Sequence, residues 1–381
     1  MTSTGKARAV RLSIAALAVA LAIWQRACAV VSLPADYDEF HYVAAALRYA
    51  DRMEPGRWGE ILDGDMNYLH PPLVKLAYGS AIKLTGAPEP EAEEGLGVGK
   101  PLTDGARPAF EAARWTSAAP GVAQVAIAAA IHPLAGLLVA IEGYHAKYTS
   151  EAYLEGIPGL FFALALFLFE RAARMPGGAA RPAADLRGMA IAYAALGVAA
   201  AGKYPYGAVG LLTLAPLTIF ALPRRPLAWL ALAGAALVTF FAFDPYLWPD
   251  PVGRLANTIA PNFTYAQGKD VTSADLPWHQ PFYWLIAAMP TTWHPGLFPG
   301  GKVTMLLLPL ALVGFPVAAA RRKVWAVAAL VGFAFLLVWP VKWPQYVLLV
   351  VIPLAVCAAH APDAALALAR RFRRRSTRPI P

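Results

Sequence analysis

The chain has 381 residues, 58% of them hydrophobic and only 15% charged, against ~25% charged in an ordinary soluble domain. Its mean hydropathy is +0.47, and no single soluble core of this size could hide that much apolar surface. A soluble enzyme, a disordered chain and a nucleic-acid binder are excluded, so the net charge of +9 belongs to a polytopic membrane protein.

Lys6 and Arg8 precede an apolar run over 9–33. The run is long enough to span and many spans follow, so it reads as an uncleaved first helix over about 10–32, although Ala27-Cys28-Ala29 imitates a cleavage site. Directly after it comes Asp36-Tyr37-Asp38-Glu39-x-x-Tyr42. Three carboxylates in four residues suit a general base or a metal ligand. They equally suit capping, with Asp36 or Asp38 as N-cap and acids favoured by the first-turn dipole.

Phe40, Val43, Ala44 and Leu47 fall at helical spacing, which predicts a helix over Glu39–Ala50 lying along the bilayer surface. In Tyr68-Leu69-His70-Pro71-Pro72-Leu73-x-Lys75, the Pro-Pro pair starts a second helix over Leu73–Leu84, too short to span. His70 and Lys75 flank its beginning, either as an imidazole and a cation near a lipid phosphate or as a stiff turn with a snorkelling lysine. The stretch 86–107 is a Gly-, Pro- and Glu-rich connector.

Spans are predicted at about 152–171, 205–222, 226–246, 302–320, 324–340 and 344–361. Two regions are ambiguous by length. Segment 116–147 is long for one helix, and His132-Pro133 sits at its middle; segment 188–201 is short but wholly apolar. Basic clusters decide, because Lys and Arg collect on cytoplasmic ends. They begin at Lys6, Arg171, Arg224, Arg321 and Arg370, and share one side only if 116–147 crosses twice and 188–201 crosses once.

The expected fold is all-α, a single membrane domain over 1–381 with about ten transmembrane helices (range 9–12) and both termini cytoplasmic. Two long outer loops result, 33–115 and 247–301. The first carries 14 acidic and eight basic residues, a net −6 that leaves +15 on the rest of the chain. The basic balance is therefore mostly orientation signal, and no nucleic-acid partner is implied.

Glu151 and Glu155 share a face at the outer start of a span, where an acid at membrane depth is a functional candidate. Lys203, Lys342 and Arg114 lie on the side that should have few cations; interface snorkelling and phosphate binding both account for them. Aromatic residues of 277–298 match an interfacial belt. Cys28 and Cys357 lack CxxC spacing and read as packing thiols. No Walker loop, GxGxxG, HExxH or nucleophile elbow is present.

In this order the motifs resemble the C-type (GT-C) membrane glycosyltransferases, in their protein-mannosyltransferase and aminoarabinose-transferase-like branch (families 39 and 83). The matching residues are Asp38-Glu39-x-x-Tyr42, His70-Pro71-Pro72-Leu73, Arg114, Glu155 ahead of Phe161–Leu166, and Gly197…Lys203-Tyr204. Asp244–Pro251 and Lys342…Gln345-Tyr346…Pro353 complete the set. The resemblance runs over nearly the whole chain. It departs in offering Glu155 or Glu151 where the family usually has Asp, and in a shorter segment between Arg114 and Glu155.

The resemblance implies an inverting glycosyltransferase (hexosyl- or pentosyltransferase) of the bacterial cell envelope, multi-pass in the inner (plasma) membrane. It implies transfer from a polyprenyl-phosphate-linked sugar, taken from the membrane lipid, to a hydroxyl of an extracytoplasmic protein, lipid or glycan. Asp38 would be the general base, with Glu39 beside it and Glu155 or Glu151 as the second acid. His70, Lys75, Arg114, Lys203 and Lys342 would hold the donor phosphate. Tyr42, Tyr68, Trp278, His279, Tyr283 and Tyr346 would wall the sugar and acceptor pocket. A divalent metal at Asp38 and Glu155 stays open, since some relatives use one and others do not. Two other readings remain: a transporter or flippase of a lipid-linked glycan, which should show inverted repeats around a midplane site, and a non-catalytic assembly subunit with a degenerate site.

Overall fold

The computed structural model describes residues 3–62, 69–88, 98–173, 184–289 and 304–376, and these form helices and connecting loops with no strand among the described residues. Helix α1 (Ser3–Ser32) is followed by α2 (Tyr37–Arg52) and α3 (Leu73–Thr85), both within the first long loop. The α2 start is fixed by a capping box: the Asp36 side chain caps the helix, and the Asp36 amide donates to Glu39 Oε2 at 3.0 Å. The face of α2 bearing Tyr42, Val43, Ala46, Tyr49 and Ala50 is buried. Helix α3 begins after Pro72 and stops at Gly86, whose φ of 63° is left-handed. Where α3 crosses α2, a Cβ on Gly79 would stand 2.6 Å from the Ala46 carbonyl oxygen, so only glycine permits this approach.

Helix α4 (Arg107–Ile131) ends at His132, and Pro133 opens α5 (Pro133–Ile141). Proline cannot continue the helix that precedes it, which is why the apolar run breaks there. Glu142 then accepts from the Tyr144 and His145 amides and caps α6 (Gly143–Tyr148). The reversal is visible at both ends of the bundle. Near the break, Arg322 donates to the Ile131 carbonyl at 3.3 Å and the His132 ring lies 5.4 Å from the His360 ring. At the far end of α5 and α6, Glu142 accepts from Thr304, and Lys147 reaches Asp36 beyond the end of α1. The chain thus reverses at 132–133 and returns to the end of the bundle where α4 begins.

The remaining bundle comprises α7 (Gly156–Ala173), α8 (Leu186–Gly202), α9 (Tyr204–Ala221), α10 (Pro226–Phe243), α14 (Thr304–Arg321), α15 (Lys323–Val338) and α16 (Leu348–Ala358). Between α10 and α14 lie the short helices α11 (Pro251–Tyr265), α12 (Lys269–Ala274) and α13 (Gln280–Ile286), and α17 (Ala361–Ser376) ends the described chain. Six described helices are long and apolar enough to cross a membrane, and α8 and α15 are shorter apolar helices packed among them. The protein is a multi-pass helical membrane protein. Leu227, Leu230, Leu237 and Val238 on α10 are exposed, as a lipid-facing helix requires.

Candidate active site

The loops at one end of the bundle bring together the starts of α2, α7 and α9, the turn before α3 and the segment before α16. Asp38 lies in the first turn of α2. Among the described residues its carboxylate accepts one long hydrogen bond, from Gln345 Nε2 at 3.4 Å. Burial, opposed by Lys203 and reinforced by Glu155 and Asp36, pushes its pKa up to about 6. Two residues earlier, Asp36 behaves in the opposite sense. Burial pushes it up as well, but the Lys147 ammonium bonded to it outweighs that, and its pKa falls below the ordinary value. One acid is held ionised by its partner and the other is poised to exchange a proton.

Two chambers meet at Asp38. One, about 620 Å³, is bounded by Asp36, Lys147, Glu151, Tyr153, Tyr265 and Trp343. The other, about 510 Å³, is bounded by His41, Tyr42, Arg48, His70, Lys203 and Tyr346. They share Tyr37, Asp38, Tyr265, Asp270, Trp343 and Gln345 as common wall. The second chamber continues past His70, Lys203 and Tyr346 into a smaller apolar recess of about 150 Å³, walled in part by Ile259, Phe263, Phe335 and Trp339.

Glu155, at the entry to α7, is fully buried and ion-paired with Lys203. Burial raises the Glu155 pKa, with Lys203 opposing it. Lys203 stands in extended backbone between α8 and α9, because the Pro205 ring starts α9 and the chain breaks there. Its ammonium also lies 4.8 Å from the Tyr346 ring centre. Lys147 bonds both Asp36 and Glu151, the latter at 2.7 Å. The His70 ring packs edge-on to Tyr42 at 5.9 Å.

Several expectations need correcting. Glu39 is fully buried, with Oε1 accepting from Arg114 Nε (2.8 Å) and the Ala152 amide (2.7 Å), and Oε2 accepting from Arg114 Nη2 (2.6 Å). It is a brace and reaches neither chamber. Arg114 spends its other donors on the carbonyls of Val30, Leu33 and Pro34, and at zero exposure it meets no phosphate. Lys342 donates to the carbonyls of Leu336, Leu337 and Trp339 and so caps the end of α15. Lys75 is buried and donates to the His70 carbonyl at 2.8 Å; burial lowers its pKa to about 7, with Asp244 opposing. It holds the backbone of His70 in place. Trp278 and Tyr283 are 64% and 55% exposed, and with His279 they line none of the three cavities described here. Tyr68 lies outside the described residues.

Several cavity residues are absent from the expected sites, among them Arg48, Lys147, Tyr265, Asp270 and Trp343. Arg48 was accessible to sequence reasoning, since Asp38, His41, Ala45 and Arg48 repeat at helical spacing along α2. Lys147 and Glu151 are an i,i+4 pair. Nothing in the sequence places Tyr265 and Asp270 opposite residues more than two hundred positions away.

Among the described residues no group of three or more His, Cys, Asp or Glu is placed to hold a metal ion. Glu155 already carries the Lys203 ammonium where a bridging metal would need a bare carboxylate. The residues therefore do not fit a metal between Asp38 and Glu155, and no step is derived through one.

No family model and no curated protein matches the chain. In backbone it is similar to the crystal structure of ArnT from Cupriavidus metallidurans in the apo state, at 18% identity and TM-score 0.57, over 95% of this chain and 60% of that one. It is also similar to the same enzyme bound to undecaprenyl phosphate, at 17% identity and TM-score 0.55, over 95% of this chain and 61% of that one. The chain thus spans about three fifths of the length of these structures. At such identity the likeness is one of fold alone.

Proposed function

We propose that this protein is an inverting glycosyltransferase that moves a sugar from a polyprenyl-phosphate donor to an acceptor hydroxyl, with Asp38 as general base. One observation carries the reading: Asp38 sits where a chamber with cations and an apolar extension meets a second, polar chamber. The apolar recess suits the first units of a polyprenyl chain, and Arg48, Lys203 and His70 suit the phosphate that leaves. The fold likeness to an undecaprenyl-phosphate-bound structure supports the same donor class.

In this reaction the acceptor O–H lies against Asp38 Oδ and the anomeric carbon faces it from the donor side. Asp38 takes the proton as the oxygen attacks. The C–O bond to phosphate breaks with inversion, and the polyprenyl phosphate carries away the electron pair. Lys203 and Arg48 stabilise the developing phosphate charge, while Asp38 favours the oxocarbenium-like character of the anomeric centre. Glu155 holds the Lys203 ammonium in register.

With the basic clusters cytoplasmic, the chambers face the outer side of the inner membrane and both termini lie inside. The deciding experiment reconstitutes the full chain in nanodiscs with polyprenyl-phosphate sugars and an acceptor panel. Wild type should transfer the sugar with inversion and Asp38→Asn should not. Movement of the intact lipid-linked sugar across liposomes without transfer would favour a flippase instead.

A further inference from the structure

The two chambers on either side of Asp38 differ in charge. The larger is bounded by Asp36, Asp38, Glu151 and Asp270 against the single cation Lys147, a formal −3. That cation is already bonded to Asp36 and Glu151. The other chamber sets two cations, Arg48 and Lys203, against Asp38 and Asp270, and Lys203 is itself ion-paired with Glu155. A phosphate is therefore opposed more strongly in the first chamber than in the second.

Aromatic side chains line the acidic chamber too, and two of them, Tyr265 and Trp343, stand in the wall it shares with the other chamber. Trp343 Nε1 donates to the Tyr265 hydroxyl at 3.2 Å, which links the two side chains. Tyr148 and Tyr153, 4.9 Å apart and edge-on, face the same space. Aromatic faces offer apolar contact to the C–H face of a sugar ring, while carboxylates accept hydrogen bonds from its hydroxyls.

Resting on the glycosyltransferase reading above, we infer that the acceptor of this enzyme is an unphosphorylated saccharide, bound in the chamber of Asp36, Glu151 and Asp270 against the Tyr265–Trp343 wall. The charge of that chamber excludes acceptors carrying phosphate near the reacting hydroxyl. Of the chamber's four acids Asp270, on the short helix α12, is the exposed one.

The test uses the full chain in nanodiscs, polyprenyl-phosphate hexoses and pentoses carrying tritiated sugar, and three acceptor sets. These are neutral p-nitrophenyl disaccharides, their 6-phosphates, and Ser/Thr peptides. Label should pass to a neutral disaccharide, and its 6-phosphate should react with a kcat/KM lower by at least about tenfold, equivalent to ~1.4 kcal/mol. Asp270→Lys should narrow that ratio. Equal or better use of the phosphorylated acceptor, or label passing to the peptides, overturns the inference and leaves the transferase reading standing. Label that leaves no donor for any acceptor overturns the transferase reading itself, and the inference falls with it.

Discussion

Arg114 and Glu39 are joined by two parallel hydrogen bonds of 2.8 and 2.6 Å, with both side chains fully excluded from solvent. The pair links α4 to α2 and, through the Ala152 amide and the carbonyls of Val30, Leu33 and Pro34, to the end of α1 and the loop before α7. It therefore sets the position of Asp38, one residue from Glu39, without touching substrate. Glu39→Gln leaves a buried guanidinium without its counter-charge, which costs about 3–5 kcal/mol. The variant should melt well below wild type and lose transfer in proportion to its loss of folded protein. A Glu39→Gln protein that melts like wild type yet transfers no sugar would return Glu39 to the chemistry.

Asp38 must be ionised to take a proton, and its pKa is about 6. Transfer rate should rise about tenfold per pH unit below pH 6 and level off above it. The sign for stability is the reverse. A carboxyl whose pKa is raised on folding destabilises the native state once the pH passes its unfolded value, fully so above about 6. Asp38→Asn should therefore abolish transfer and still raise the melting temperature at pH 7 to 8. Discounted for solvent screening, the gain is on the order of 1–2 kcal/mol, and it should vanish below about pH 4. Equal melting curves for the variant and wild type at pH 8 would show that Asp38 is not held against its preference.

The helical bundle was legible in the sequence because its apolar runs are long and are broken by proline and by charge. His132-Pro133 even located the hairpin. The site was legible only along local segments. Asp38 and His70 stand out by type and position, but Arg114, Lys203 and Lys342 look alike as lone cations on the wrong side. Only packing separates them. Arg114 and Lys342 are consumed by backbone carbonyls, whereas Lys203 faces the cavity beside Glu155. Asp36 was read as either cap or catalyst, and the capping box with Glu39 resolves it in favour of the cap.

That distinction between lysines can be measured. Lys342→Met removes a donor to three carbonyls at the end of α15. It should lower stability by about 1–3 kcal/mol and leave the KM for the lipid donor unchanged. Lys203→Met strands Glu155 as a buried acid, so the useful variant is the double replacement Lys203→Gln with Glu155→Gln, which removes both charges together. The double variant should fold and bind the polyprenyl phosphate product much more weakly than wild type. Unchanged product affinity in that protein would take Lys203 out of the phosphate site.

The contact of α3 with α2 depends on a missing side chain. A Cβ at position 79 would lie 2.6 Å from the Ala46 carbonyl oxygen and 3.1 Å from the Ala50 amide nitrogen, both backbone atoms that cannot rotate away. Gly79→Ala should therefore push α3 outward. Such overpacking costs about 1–3 kcal/mol, and because α3 starts just after His70, the donor side of the cavity moves with it. The expected result is a lower melting temperature together with a raised KM for the lipid donor. Gly59→Ala is the control, since a Cβ there meets nothing within 4 Å. If Gly79→Ala melts and turns over like Gly59→Ala, the close crossing of α2 and α3 does not position the site.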